Sequence, residues 1–465
     1  MLRKLVFLLF AGPLALAAKP NLLLITADDL NCDSVGAFGC QLEGITPHLD
    51  RLASQGLCLD RGFVTASICQ PSRAVWMTGR YPHRNGALGF DPIRPEVPSL
   101  PEALQAGGYF TAMLGKAKHV VPTRHKAFDL IRDEEALGRG RDTGHYAAGV
   151  RATIEGAKAA GKPFFLMANA HDPHRPFAGS DQESWRPRPA TRRTFQPHEV
   201  PVPKFLPDLP DVRLEMAEYF TSVHRADEVV GAILAELEQA GLTGETLVMF
   251  MSDNGMPLPF AKSNCYWHSN RTPWIVRWPG EVKAATRDRE HFVSGIDVAP
   301  TLLDAAGLPP LAGADGRSLK PLFNGERQQD RKRVFTMVER IWAGKEYPMR
   351  AVVEEDFLYI WNGWADGKTR FQNESQSGRT MKAMREAATS DPDLARRVDH
   401  FVHRCREEMY DLKKDPDCLH NLIARPNDAW SPRASAMTKS LWHWMKETGD
   451  PQRGSFEAQV ELALD

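Results

Sequence analysis

Asn21-Leu22-Leu23-Leu24-Ile25-Thr26-Ala27-Asp28-Asp29 is an unbroken apolar run that ends in two carboxylates. It lacks the polar–apolar alternation of a half-exposed strand, so it reads as a strand buried on both faces. Three more runs share that character. Tyr109 to Leu114 ends at Gly115-Lys116, and Phe164 to Ala168 stops just before His171. Thr246 to Met251 ends at Ser252-Asp253-Asn254-Gly255. Helical patterns lie between them, which predicts an α/β chain with a large, mostly parallel sheet sandwiched by helices. Ligands of such sheets bind beyond the carboxyl ends of the strands, and all four ends here carry chemically capable residues.

The helix before the fourth strand is predicted over Leu214 to Ala240, from Val223, Val230, Ile233, Leu234 and Leu237 at helical spacing and a stop at Gly241. Between Pro173 and Pro210 lie nine prolines and many arginines. That composition predicts an irregular excursion, long enough to be functional and placed as one wall of a substrate cleft. Beyond Gly316-Arg317-Ser318-Leu319 the runs shorten: Arg333 to Val338, Met349 to Val353 and Phe357 to Trp361 suit a small antiparallel sheet. A charged helical stretch, Met381 to Glu408, and a terminal helix around Ala436 to Lys446 follow. The expected division is residues 19–327 for the main unit and 328–465 for a smaller α+β unit.

The first 18 residues read differently. Arg3 and Lys4 precede the apolar run Leu5 to Leu16, which closes in Ala15-Leu16-Ala17. This is the pattern of a cleaved export signal, and the run is short of the ~20 residues a membrane span needs. The expected location is secreted or periplasmic, with no stable membrane insertion after cleavage. The chain has 465 residues and a formal charge of -1, without the basic excess of a general nucleic-acid binder. Its seven cysteines are an odd number for an oxidising compartment, so at least one is unpaired or modified.

Cys69-Gln70-Pro71-Ser72-Arg73 carries the chemistry. Pro71 suits the first turn of a helix, which sets Cys69 where the helix dipole and free N–H groups favour an anion. Arg73 offers a charged fork to sulfate or phosphate oxygens. Asp28, Asp29, Asp253 and Asn254 supply hard oxygen donors from two strand ends, a set suited to Ca²⁺ or Mg²⁺ and lacking the nitrogen donors of a zinc site. Adjacent aspartates alone also suit a helix cap. Their company with the Ser-Asp-Asn-Gly turn and Cys69 favours the metal.

Cys69 to Arg73, continued through Thr78-Gly79-Arg80, resembles the signature of the type I sulfatases of the alkaline phosphatase-like superfamily. Met77 stands where leucine is usual. The resemblance runs from Asn21 to Met409-Tyr410-Asp411-Leu412. It implies that Cys69 is oxidised to formylglycine by a maturation enzyme, that the aldehyde hydrate attacks sulfur, and that the cation is one calcium ion. It also implies catalytic roles for Arg73, Lys116, His119, His171 and Lys262. Gly115-Lys116-Ala117-Lys118-His119 is one residue longer than the family's Gly-Lys-x-His, so either Lys116 or Lys118 takes the lysine place. By the resemblance, His171 protonates the leaving group, His119 removes a proton from the remaining hydroxyl, and Lys262 stands against the sulfate.

The implied substrate is a sulfated saccharide. Four stretches resemble the heparan N-sulfatase branch of the family: His171-Asp172-Pro173-His174-Arg175, Val202-Pro203 to Pro207, Asp253 to Pro257, and Tyr347-Pro348-Met349-Arg350. They imply cleavage of sulfate from the nitrogen of a terminal glucosamine. An O-sulfatase acting on another glycan is the alternative. A phosphodiesterase or phosphotransferase of the superfamily, which would carry serine or threonine at position 69, is more remote, as is a non-catalytic sugar binder.

Overall fold

The computed structural model describes residues 19–120, 123–184, 189–341, 344–424 and 430–460. The predicted export signal, residues 1–18, lies outside them. Four strands form the centre: β1 (Asn21–Asp28), β4 (Phe110–Leu114), β6 (Phe164–Pro173) and β7 (Thr246–Ser252). Around them stand β2 (Leu57–Leu59), β5 (Leu130–Arg132), β8 (Trp274–Arg277) and β9 (Thr286–Asp288). The eight-stranded order is β5-β4-β6-β1-β7-β8-β2-β9. Only β8 runs against its neighbours, so the sheet is mostly parallel as expected. A short ribbon pairs β3 (Gly62–Phe63) with β10 (Val293–Ser294).

The apolar runs are continuous because successive side chains enter two different cores. Leu23, Ile25, Leu166, Val248 and Phe250 point into one cluster, shared with Val223, Val230 and Ile233 of the Pro210–Gln239 helix. Leu22, Leu24, Phe165, Met167, Leu247 and Met249 point into the other, with Val298, Leu302 and Leu303 of the Val298–Ala305 helix. Each such side chain removed from water contributes ~1.5–3 kcal/mol before conformational entropy is counted.

β6 departs from expectation. It continues through His171 to Pro173, because β1 shifts register between Thr26 and Asp28 and then pairs Asp28 with Pro173. The apolar run marked only the buried part of the strand. The long helix starts at Pro210, one turn earlier than Leu214, with proline in its first turn. The proline-rich excursion is irregular apart from a short helix at Asp181–Ser184 among the described residues. It lies against the long helix: Ala178 N–H donates to Ser222 Oγ at 2.7 Å, and Phe195 N–H to Thr221 Oγ1 at 3.1 Å.

A second sheet is antiparallel, β11 (Arg333–Arg340), β12 (Glu346–Glu354), β13 (Phe357–Asn362) and β14 (Glu407–Asp411), in that order. One face (Val338, Met349, Ala351, Leu358, Ile360) joins the main core. The other (Met337, Val352, Tyr359, Trp361) meets Leu441, Trp444 and Met445 of the Ser431–Thr448 helix. The stretch expected to be helical to Glu408 breaks into helices Arg379–Ala387 and Pro392–His403 before entering β14. Among the described residues no helix is long and apolar enough to cross a membrane.

Candidate active site

β1, β4, β6 and β7 end side by side, so their following residues converge at one edge of the sheet. Cys69 opens the Cys69–Thr78 helix, all ten residues of which are buried. Gly79 ends it in the left-handed region (φ 63°), where its N–H reaches Val75 O at 2.8 Å. Cys69 Sγ lies 3.4 Å from Asp28 Oδ1. Burial, then the carboxylates of Asp28, Asp253 and Asp29, raise the thiol well above its ordinary range. The sulfur is therefore held as a protonated thiol, the less nucleophilic form.

Asp28, Asp29 and Asp253 are fully buried, and one oxygen of each lies within 4.8 Å of the others. Burial works against the charge on Asp28, but Lys116, His174 and Arg73 outweigh it and hold its carboxyl well below the usual range. Asp29 is pushed up to about 7 and Asp253 to about 6, by burial and by the neighbouring carboxylates. Three acids forced together in this way are what a divalent cation relieves. Asn254 supports that fit. Its Nδ2 donates to Asp29 Oδ1 at 2.7 Å, while its Oδ1 is buried with no hydrogen-bond partner. The four predicted ligands are thus in one place, with oxygen donors of the type calcium takes.

Arg73 Nη1 donates to Thr26 Oγ1 (3.0 Å) and Asn169 Oδ1 (2.6 Å), and Nη2 to Asp28 Oδ2 (3.3 Å) and Asp253 Oδ2 (2.7 Å). The fork expected to grip the anion is committed to these groups, Nη2 to two carboxylates and Nη1 to a hydroxyl and an amide oxygen. Lys116, buried in the left-handed region (φ 56°), pairs with Asp28, whereas Lys118 is exposed. Lys262 Nζ sits 2.7 Å from Asp29 Oδ1 and also pairs with Glu374.

Above Cys69 is a cavity of about 500 Å³, whose lining includes His119, His174, Lys262, Glu374 and Phe90. A larger groove of about 930 Å³, around Gly280, Arg287 and Arg327, holds none of the predicted site residues. The two predicted histidines are placed differently. His119 faces the Cys69 cavity, with Phe90 edge-on at 5.6 Å. His171 does not line it; its Nδ1 lies 3.3 Å from Glu134 Oε2. His174 takes the position facing Cys69, with one ring nitrogen within 4.8 Å of both Sγ and an Asp28 oxygen. Its Nδ1 meets Arg175 O at 2.7 Å, which leaves Nε2 for the cavity. Among the described residues, the proline-rich excursion supplies His174 to the cavity lining. Burial, then nearby lysines, lower His119 to about 3 and His174 to about 4. His171 falls well below its ordinary value through burial, Lys116 and Arg141.

Three lining residues carried no sequence signal that separated them from their neighbours: His174, Glu374 and Phe90. Phe90 is 41% exposed, an unusual state for a large aromatic side chain and a usual one at the rim of a binding cleft.

A family profile described as sulfatase matches residues 20–308. Human N-sulphoglucosamine sulphohydrolase is 32% identical, over 93% of this chain and 91% of its own length. An ulvan-active sulfatase of Formosa agariphila is 27% identical, over 95% of this chain and 77% of its own. A solved structure described as a complex with its substrate D-glucosamine-2-N,6-O-disulfate superposes with a TM-score of 0.71 at 19% identity, covering 95% of this chain and all of that one. A phosphonate monoester hydrolase of Agrobacterium radiobacter shares the fold at a TM-score of 0.66 and 19% identity, covering 92% and 96% of the two chains. The fold alone thus hosts more than one chemistry, and the family match decides between them. This chain belongs to the sulfatase family, hydrolases of sulfate esters or sulfamates.

Proposed function

We propose that the protein is an exported, calcium-dependent N-sulfatase that removes sulfate from the nitrogen of a terminal glucosamine in a heparan-type saccharide. The observation that carries this reading is the floor of the cavity. There Cys69, the acids Asp28, Asp29 and Asp253, and His174 meet within a few ångströms, with Lys116 and Lys262 beside them. The substrate class follows the human relative, whose name describes an N-sulfoglucosamine hydrolase and nearly all of whose length is matched. Export rests on the signal pattern of residues 1–18.

Formylglycine, were Cys69 so matured, would be held at the start of the Cys69–Thr78 helix and would supply the nucleophilic oxygen there. Asp28, Asp29, Asp253 and Asn254 would hold a calcium ion, which would supply positive charge at the floor of the cavity. The rest belongs to this chain's own side chains. Arg73 fixes Asp28 and Asp253 in place, a positioning role, since its Nη atoms already have four partners. Lys262, at the cavity wall, stands against the sulfate. His174 Nε2 faces the space above Cys69 and, once protonated against the anionic substrate, gives the leaving nitrogen its proton, the role first read for His171. His119, which also lines the cavity, takes the proton of the remaining hydroxyl as sulfate departs. Catalysis is then mainly orientation and preorganised charge.

The test joins mass spectrometry of the residue-69 peptide with sulfate release from defined N- and O-sulfated glucosamines, with calcium and with chelator. Aldehyde at residue 69 and calcium-dependent release from nitrogen are expected. Full activity with an unmodified thiol would refute the mechanism, and release from oxygen alone would make the enzyme an O-sulfatase.

A further inference from the structure

Glu374 is out of place for a pocket that takes an anion. Among the described residues lining the Cys69 cavity it is the one acid, and its side chain is 33% exposed. Lys262 offsets part of that charge, and the exposed remainder of the carboxylate repels sulfate unless a proton-bearing group lies against it.

The chain fixes this carboxylate firmly. Glu374 opens a short 3₁₀ turn, Glu374–Ser377, and pairs with Lys262. Asn373 Nδ2 donates to Lys262 O at 3.2 Å, Ser375 Oγ to Asn373 Oδ1 at 2.7 Å, and Gln376 Nε2 to Phe371 O at 2.7 Å. The turn is therefore tied to the backbone of the lysine that faces the sulfate.

Its position singles out one atom of the substrate. A Glu374 oxygen lies within 4.8 Å of a His174 ring nitrogen and of an Asp29 oxygen, and His174 is likewise within 4.8 Å of Cys69 Sγ. His174 and Glu374 thus flank the same volume, where the atom leaving sulfur must sit to receive its proton. In a sulfamate that atom is a nitrogen bearing hydrogen. In a sulfate ester it is an oxygen with lone pairs only. A carboxylate accepts from the first and opposes the second, which is discrimination by a repulsive element as well as an attractive one.

We propose that Glu374 accepts a hydrogen bond from the N–H of the scissile sulfamate and thereby selects sulfate on nitrogen over sulfate on oxygen. This rests on the sulfatase reading of the same cavity and adds the residue that sets its substrate class.

The experiment compares matured wild type, Glu374→Ala and Glu374→Gln on two substrates that differ at one atom, glucosamine 2-N-sulfate and glucose 2-O-sulfate. The readout is kcat/KM for sulfate release, with thermal melting to verify folding. The expected result is a fall of roughly 10–100-fold in the N:O ratio for Glu374→Ala, the worth of one hydrogen bond to a charged group. Glu374→Gln, which keeps an acceptor oxygen, should recover part of it. An equal fall on both substrates, or none on either, overturns the proposal and leaves Glu374 as a support for Lys262. A wild type that releases sulfate from oxygen only overturns the N-sulfatase reading itself, and with it any role for Glu374 in selecting nitrogen.

Discussion

Replacing Asp172 by asparagine tests how the histidine segment is held. Asp172 is 1% exposed and lies between two buried guanidinium groups. Arg141 Nε donates to its Oδ1 at 2.7 Å, Arg225 Nε to Oδ2 at 2.5 Å, and Arg225 Nη2 to Oδ1 at 3.2 Å. Arg141 Nη2 also donates to His174 O at 2.9 Å, so the same ion pair sets the backbone that carries the cavity histidine. Breaking a buried pair by removing one charge costs ~3–5 kcal/mol. The asparagine oxygen can still accept one bond, which returns about 1 kcal/mol. The expected loss is therefore about 2–4 kcal/mol.

Denaturant unfolding of the two proteins at a series of pH values measures it. Burial opposes the charge on Asp172, but Arg225 and Arg141 outweigh it and lower its pKa in the folded chain. A carboxyl with a lowered folded value contributes fully above its unfolded value of about 4 and loses that contribution as pH falls through the folded one. The gap between wild type and variant should be constant from pH 7 to about 5 and narrow below about 4. Equal stability at pH 7, or a gap that widens on acidification, would refute the reasoning.

Three other substitutions probe the site. Lys116→Ala removes the buried cation beside Asp28 and should lower kcat by ~10²–10³, whereas Lys118→Ala, at an exposed position, should stay within about twofold. Steady-state kinetics of both decides which lysine serves. Gly255→Ala would set a Cβ 1.9 Å from His268 O and 2.5 Å from Ala261 O, so the backbone beside Asn254 has to move. Calcium affinity measured by calorimetry should drop by at least about tenfold, as for other disturbances of a metal site's support; unchanged affinity would remove Asn254 from the ligand set.

The sequence by itself determined the four central strands of the sheet, the helix at Cys69 and the meeting of acids at two strand ends. These are local signals: apolar runs, a proline in a first turn, and polar residues placed directly after a strand. The order of strands then brought Asp28 and Asp253 together, because β1 and β7 pair in parallel from Asn21 with Thr246 to Ala27 with Ser252. Tertiary structure alone decided which histidine faces the cavity. His171 and His174 lie three residues apart, and the register shift of β1 that prolongs β6 past His171 is set by pairing between distant segments. It likewise decided that Arg73 binds carboxylates, and that Glu374, a residue of a turn far downstream, closes the site. Periodicity and caps are written within about ten residues, whereas a cavity wall is made by packing between elements whose separation along the chain leaves no pattern to read.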